Sequence, residues 1–183
     1  MDTMPRGSRG RLAPRVVMAA LLALGAAGAV RPAAADSSIG IGVHAWRTVD
    51  GFESDGFSGI RRDGLSYLLS YQYKPGALLK LEIDGEYFPN GFGGSTHYAV
   101  SPQAYVLLGS FIYGGVGIGT IFSKDFSNDF SSPYYAARVG VDMHLLPKLS
   151  LDVNANYHFN AFNELHGVTT GTVTLGATAR FGL

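Results

Sequence analysis

The chain has 183 residues, balances 14 basic against 14 acidic side chains and contains no cysteine. Disulfides, thiolate nucleophiles and cysteine metal sites are thereby excluded. With only 15% of its residues charged, the chain offers no clustered basic surface of the kind nucleic acid requires.

In chain order, Arg6, Arg9, Arg11 and Arg15 form a basic segment, residues 16–30 are an unbroken apolar and small-residue run, and Ala33, Ala34 and Ala35 follow Pro32. This is the layout of a secretory signal peptide, and the run is shorter than the roughly 18 residues of a spanning helix. Cleavage is expected between Ala35 and Asp36, making 1–35 the signal peptide and 36–183 the mature domain. Residues 36–183 hold nine basic and thirteen acidic side chains, a net of −4.

Past residue 36 the periodicity is two, the mark of β-strands. Residues 39–47 set Ile39, Ile41, Val43 and Ala45 against Gly40, Gly42, His44 and Trp46. Residues 65–73 set Leu65, Tyr67, Leu69, Tyr71 and Tyr73 against Ser66, Leu68, Ser70 and Gln72. Residues 79–87 alternate most sharply, with Leu79, Leu81, Ile83 and Tyr87 on one face and Lys80, Glu82, Asp84 and Glu86 on the other. Residues 97–108 set Tyr98, Val100, Ala104, Val106 and Leu108 against Ala99, Ser101, Gln103 and Tyr105. Residues 112–122 set Ile112, Val116, Ile118 and Phe122 against Gly115, Gly117 and Gly119. Residues 135–145 oppose Ala137, Val139, Val141 and Met143 to Ala136, Arg138, Asp142 and His144. Residues 149–159 oppose Leu151, Val153, Ala155, Tyr157 and Phe159 to Ser150, Asp152, Asn154, Asn156 and His158. Residues 173–181 oppose Val173, Leu175, Ala177, Ala179 and Phe181 to Thr172, Thr174, Thr178 and Arg180.

These eight segments have the length of strands that cross a bilayer at a tilt. Tight turns at 74–76, 109–110 and 146–148 alternate with long polar loops near 48–63, 88–96, 123–133 and 160–170, the pattern of an outer-membrane barrel. A soluble eight-stranded barrel also alternates, with its apolar face inward. Three features favour lipid on the apolar face. Tyr87, Tyr98, Phe122, Tyr135, Tyr157 and Phe159 fall near the long-loop end and Tyr71, Tyr73, Phe111 and Phe181 near the tight-turn end, as two aromatic girdles would. The polar face is rich in Gly, Ser, Ala, Thr and Asn, which suit a narrow lumen better than a soluble surface. It also mixes Lys80, Arg138 and Arg180 with Glu82, Asp84, Glu86, Asp142 and Asp152, so charges can pair away from water. The expected fold is all-β: an eight-stranded antiparallel transmembrane up-and-down β-barrel. Its lumen carries those eight charged residues together with His44, His144 and His158, and a lumen this narrow favours a packed plug over a pore.

Three segments extend the reading: Tyr-Gly-Gly-Val-Gly-Ile-Gly at 113–119, Asn-Tyr-His-Phe-Asn at 156–160, and the terminal strand 174–181 ending on Phe181. Together with the architecture they resemble the small eight-stranded outer-membrane barrels, the OmpA/OmpX-like and OmpW-like proteins, over residues 36–183. Gly182 and Leu183 follow Phe181, where the family's terminal signal ends on its aromatic. The resemblance implies residence in the outer membrane of a Gram-negative-type bacterium, contact with its lipid, insertion by the barrel assembly machinery and a monomer. It also implies a structural or surface-interaction role in which four extracellular loops meet a ligand. A barrel without the peptidoglycan-binding domain of some OmpA-like proteins is expected. The alternative it implies is OmpW-like transport of small hydrophobic solutes.

An enzymatic role is weighed on His158. Lipid A deacylases are barrels with a late His followed two residues on by a Ser nucleophile and then a Glu; here Asn160 and Glu164 follow, and Asn cannot serve as the nucleophile. No enzyme, cofactor or metal site is therefore expected. The loop acids Asp50, Glu53, Asp55, Asp125 and Asp129 lack EF-hand spacing, and His97 and His166 lack metal-ligand spacing. Gly115, Gly117 and Gly119 repeat with period two in a strand, which points to close packing or lumen space and not to a dinucleotide fingerprint. Phe52, Phe57, Phe88, Phe92, Phe126, Phe130 and Phe162 are expected on the loops, either exposed to a partner or packed on one another above the barrel mouth.

Overall fold

The computed structural model describes residues 36–49, 62–125, 130–159 and 171–183. Eight strands run β1 Asp36–Thr48, β2 Asp63–Lys74, β3 Leu79–Phe88, β4 Ala99–Gly109, β5 Ile112–Gly119, β6 Tyr134–Leu146, β7 Leu149–Phe159 and β8 Thr172–Gly182. Each pairs antiparallel with the next, and β8 returns to β1 from Ser38↔Gly182 to Thr48↔Thr172, closing the barrel. Closure leaves no sheet edge, which a strand structure in lipid requires.

Short connections and long ones alternate, so the tight turns gather at one end of the barrel and the long loops at the other. In the β4–β5 turn Gly109 has φ 125°, and a Cβ there would lie 2.2 Å from the Ile112 carbonyl oxygen, so only glycine makes this reversal without strain.

β5 is shorter than its alternation predicts. It leaves the ladder after Gly119, where the next partner on β4 is Pro102. Thr120 still donates its N–H to the Pro102 carbonyl at 3.2 Å, but proline has no N–H to return. The Ser101 hydroxyl takes that role and donates to the Thr120 carbonyl at 2.9 Å. Pairing resumes as an isolated bridge between Val100 and Phe122, with bonds of 3.0 and 2.8 Å.

The polarity of the wall is the reverse of a soluble protein's. Ile41, Leu69, Leu108, Val116, Val139 and Leu175 are all at least 60% exposed on the outside. Glu82, Asp84, Glu86, Arg138, Asp152 and Arg180 point inward and are at most 1% exposed. An apolar band this continuous around a closed sheet is stable only against lipid. Aromatic rings lie on the outside toward both ends: Tyr71, Tyr87, Tyr98, Phe111, Tyr135, Phe159 and Phe181 are exposed, and Tyr73, Phe122 and Tyr157 are half-buried. Tyr157 packs edge-on against Phe159 at 4.6 Å between centroids.

Candidate functional site

The site is the barrel interior, and its floor is built on β3. Strand alternation points Lys80, Glu82, Asp84 and Glu86 inward at successive heights. Lys80 donates to Asp142 on β6 at 2.9 Å and to the Ser110 carbonyl at 2.9 Å, and its ammonium lies 4.5 Å from the Tyr113 ring centroid. Lys74, partly exposed at the rim, reaches the same Asp142 oxygen at 3.1 Å.

Arg138 occupies the middle. It donates to Glu82 and to Asp84 at 2.7 Å each and to the Asn156 side-chain oxygen, and its guanidinium lies 3.7 Å from the Tyr105 ring centroid. Arg180 on β8 reaches Glu82 from the other side at 2.7 Å, donates to the Ser70 hydroxyl at 2.8 Å and lies 3.6 Å from Asp152. Asp152 in turn accepts from the Tyr113 hydroxyl at 2.8 and 2.9 Å and from Asn154 at 2.7 Å. Gln72 donates to Glu82 at 2.6 Å, and Asn156 to Thr174 at 2.7 Å. Charges this deep are tolerable only because each meets an opposite charge, while Asp84 Oδ1, Asp142 Oδ1 and Arg180 Nε have no hydrogen-bond partner among the described residues. Planar guanidinium groups suit the task, since one group can satisfy two carboxylates at once.

The outer end is different. Glu86 accepts from His44 Nδ1 at 2.8 Å, the Ser66 hydroxyl at 2.5 Å and Gln103 at 2.8 Å. Above it sits an aromatic cluster. Phe88 and Phe92 stack at 4.1 Å between centroids and 11° between planes, and Trp46 meets Phe92 edge-on at 5.2 Å. His158 lies beneath, 6.0 Å from Phe92 and 5.1 Å from Tyr134 between ring centroids. It is fully buried, and among the described residues neither of its ring nitrogens has a hydrogen-bond partner.

Inward glycines make room for these rings. Gly117 lies opposite Tyr105, Gly119 and Gly140 opposite Tyr134 and Tyr113, Gly64 opposite Trp46, and Gly176 opposite His44. A Cβ on each would stand 1.7–2.9 Å from the facing ring. Gly117 and Gly119 of the β5 series are therefore space that tyrosine rings fill, and Gly115 faces Leu107.

No protein-family model matches the chain, and no curated protein matches its sequence. Solved structures do match. The outer membrane protein OprG from Pseudomonas aeruginosa is 16% identical, with 81% of this chain and 96% of that one covered and a TM-score of 0.51. Neisserial surface protein A is 17% identical over 80% of this chain and 96% of that one, with a TM-score of 0.49. Ail, the attachment invasion locus protein of Yersinia pestis, is 22% identical over 80% and 99%, with a TM-score of 0.43. At such identities the likeness is one of fold, and OprG carries it. This is the fold of a small outer-membrane β-barrel.

In that barrel not every residue singled out by sequence lies where it was expected. Alternation along β6 predicts His144 in the lumen; in the structure it is exposed at the tight-turn end. It keeps the inward phase, but the β6–β7 register shifts between His144 and Leu146 and the strand has by then run past the mouth. Phe88 and Phe92 are buried in the cap, so for these two the packed arrangement holds and not the exposed one. Phe130 is 51% exposed and its ring packs on Phe122 at 4.0 Å between centroids. Asp125 is an anchor between loops: Thr96 N–H at 2.6 Å, His97 N–H at 3.0 Å, the Thr96 hydroxyl at 3.1 Å and His97 Nδ1 at 2.8 Å all donate to it. Burial pushes the Asp125 carboxyl up, but these four donors outweigh it and hold the group down at about 2. Among the described residues no three His, Cys, Asp or Glu side chains are grouped to hold a metal ion. Ala35, Asp50, Phe52, Glu53, Asp55, Phe57, Phe126, Asp129, Asn160, Phe162, Glu164 and His166 lie outside the described residues.

Residues the sequence reading missed are Tyr113 and Tyr134, and the part played by Trp46. Tyr113 shares the phase of Gly115 and Gly117, so alternation places it inward. Tyr134 stands one residue before the predicted start of its strand, and only its pairing with Gly119 reveals it.

Proposed function

We propose that the chain is an integral outer-membrane protein of a Gram-negative-type bacterium, whose barrel is closed to ions and whose role is structural and surface-interactive. Its mature form is 36–183, released by cleavage between Ala35 and Asp36. It is inserted as a monomer by the barrel assembly machinery, which reads the strand ending at Phe181. The long loops then meet a surface ligand, and the protein performs no catalysis. The observation that carries this reading is the pairing of an apolar outer wall with an interior where every strand contributes a side chain to the ion pairs, hydrogen bonds and ring contacts. An ion crossing such a lumen would have to displace Arg138 from Glu82 and Asp84, leaving Arg138 and Asp84 without their bonded partners and Glu82 with Arg180 alone.

The test is planar-bilayer recording with the folded protein. Little or no steady conductance is expected, and stable channels of nanosiemens scale would overturn the closed-lumen reading. Intact mass of protein taken from outer membranes tests the cleavage: a mature N-terminus at Asp36 is expected.

A further inference from the structure

The loop between β3 and β4 is built as a finger over the barrel mouth. Gly91, Gly93 and Gly94 have φ of 88°, 65° and 99°, and a Cβ on Gly91 would lie 2.3 Å from the Ser95 carbonyl oxygen. These left-handed turns are open to glycine and strained for other residues. They fold the finger back so that Ser95 donates its N–H to the Phe92 carbonyl at 3.2 Å and its hydroxyl accepts from the Phe92 N–H at 3.0 Å. Phe92 is thereby driven down between Trp46, Phe88 and His158. Asp125 clamps only the far end of the loop, at Thr96 and His97.

Beneath the tip lies a titratable group with no means of holding charge. His158 is enclosed by Phe92 and Tyr134, and neither nitrogen is hydrogen-bonded among the described residues. The groups that face it are Glu86 from β3, Arg138 and Tyr134 from β6, and His44 from β1. Glu86 is already engaged by His44, Ser66 and Gln103. His44 differs in kind, because its Nδ1 has Glu86 as partner and a proton on its ring would strengthen that bond. A buried imidazolium lacking partners is costly, and water relieves that cost when the finger lifts.

We propose that residues 89–95 form a pH-responsive lid on the outer mouth of the barrel, with His158 as its sensor. At neutral pH the neutral imidazole lets Phe92 seat and the mouth is capped. On acidification below the ordinary value of histidine, about pH 6.5, His158 takes up a proton as the finger lifts, Phe92 is expelled, and a vestibule lined by His44, Trp46, Tyr134 and His158 opens to solvent. The Arg138 and Arg180 pairs below take no part, so opening exposes a vestibule and no through-channel. Conductance therefore tests the closed lumen, and a separate reading tests the lid.

Trp46 is the chain's only tryptophan, and it touches the lid. The experiment is acrylamide quenching of its fluorescence in the folded barrel in phospholipid nanodiscs, titrated from about pH 8 to about pH 4. Quenching is expected to rise several-fold across one step. The step is expected to vanish in His158→Gln and to persist in His97→Gln, which alters the histidine whose carbonyl accepts from Ser95 of the lid loop. Phe92→Ala is expected to give the acid level of quenching at every pH, and it decides the matter should His158→Gln not fold. A flat wild-type titration, a step that survives His158→Gln, or a Phe92→Ala protein that keeps the wild-type step would each overturn the proposal.

Discussion

The floor and the roof of this barrel share one set of strands yet are held by different physics. In the floor, Arg138 on β6 and Arg180 on β8 both bind carboxylates of β3, far from them in sequence, and rotation of one side chain would strand several charges. In the roof, Trp46, Phe88 and Phe92 pack as rings over a histidine whose ring nitrogens have no hydrogen-bond partner among the described residues. Ion pairs at this depth are strong only while intact, so the floor is all-or-none. Ring contacts are worth about 0.5–1.5 kcal/mol each, so the roof can let go of one piece at a time. A single protein can thus combine a fixed interior with a movable cap.

The largest test of that contrast is Arg138→Ala. It leaves Glu82 without one of its two guanidinium partners and Asp84 without its bonded one, and is expected to lower stability by about 3–5 kcal/mol in denaturant unfolding from lipid bilayers. Arg138→Lys should recover only part, since an ammonium lacks the fork that spans both carboxylates. Lys80→Met comes next at about 1.5–3 kcal/mol, and less than Arg138→Ala, because Lys74 still reaches Asp142. In the roof, Gly176→Val places a Cβ 1.7 Å from the His44 ring, and a cost of about 1–3 kcal/mol is expected from overpacking. The same variant should displace His44 from Glu86, which the imidazole NMR resonances of His44 would report. The smallest effect belongs to the loop clamp, where Asp125→Asn should cost about 0–1 kcal/mol.

The clamp also has a defined pH window. The Asp125 carboxyl is held at about 2, below its ordinary 3.8, so its contribution is fully present above that ordinary value and is lost as pH falls through about 2. Amide exchange at Thr96 and His97, compared between wild type and Asp125→Asn, should therefore show the clamp intact across the whole range in which histidine titrates. If exchange at these amides instead rises near pH 6, the clamp and not the finger would be the acid-sensitive part of the roof.

Much of the wall was legible in the residues themselves. The alternation of Leu79, Leu81, Ile83 and Tyr87 with Lys80, Glu82, Asp84 and Glu86 assigns two faces without any fold. Expected strand boundaries agree with the observed ones to within about three residues. The exception in kind is the end of β5, where alternation continues through Phe122 but Pro102 on the neighbouring strand withholds an N–H. A proline's effect on the strand beside it is invisible until the pairing is known. The roof was the less legible part. Phe88 and Phe92 lie in a glycine-rich segment that reads as an exposed loop, and only three left-handed glycines turn it back over the mouth.

What the sequence by itself determined is the division of side chains between two environments, because a strand's period of two is local and needs no partner. What only the tertiary structure decided is who meets whom inside. Arg180 and Glu82 are 98 residues apart, and nothing in either segment names the other. Closing β8 onto β1 brings them within 2.7 Å. The assembled barrel also turns His44 toward Glu86 and leaves His158 beneath Phe92 with its ring nitrogens unpaired among the described residues, and the β6–β7 register shifts where His144 runs past the mouth. Register and closure are properties of the whole barrel, and the interior chemistry follows from them.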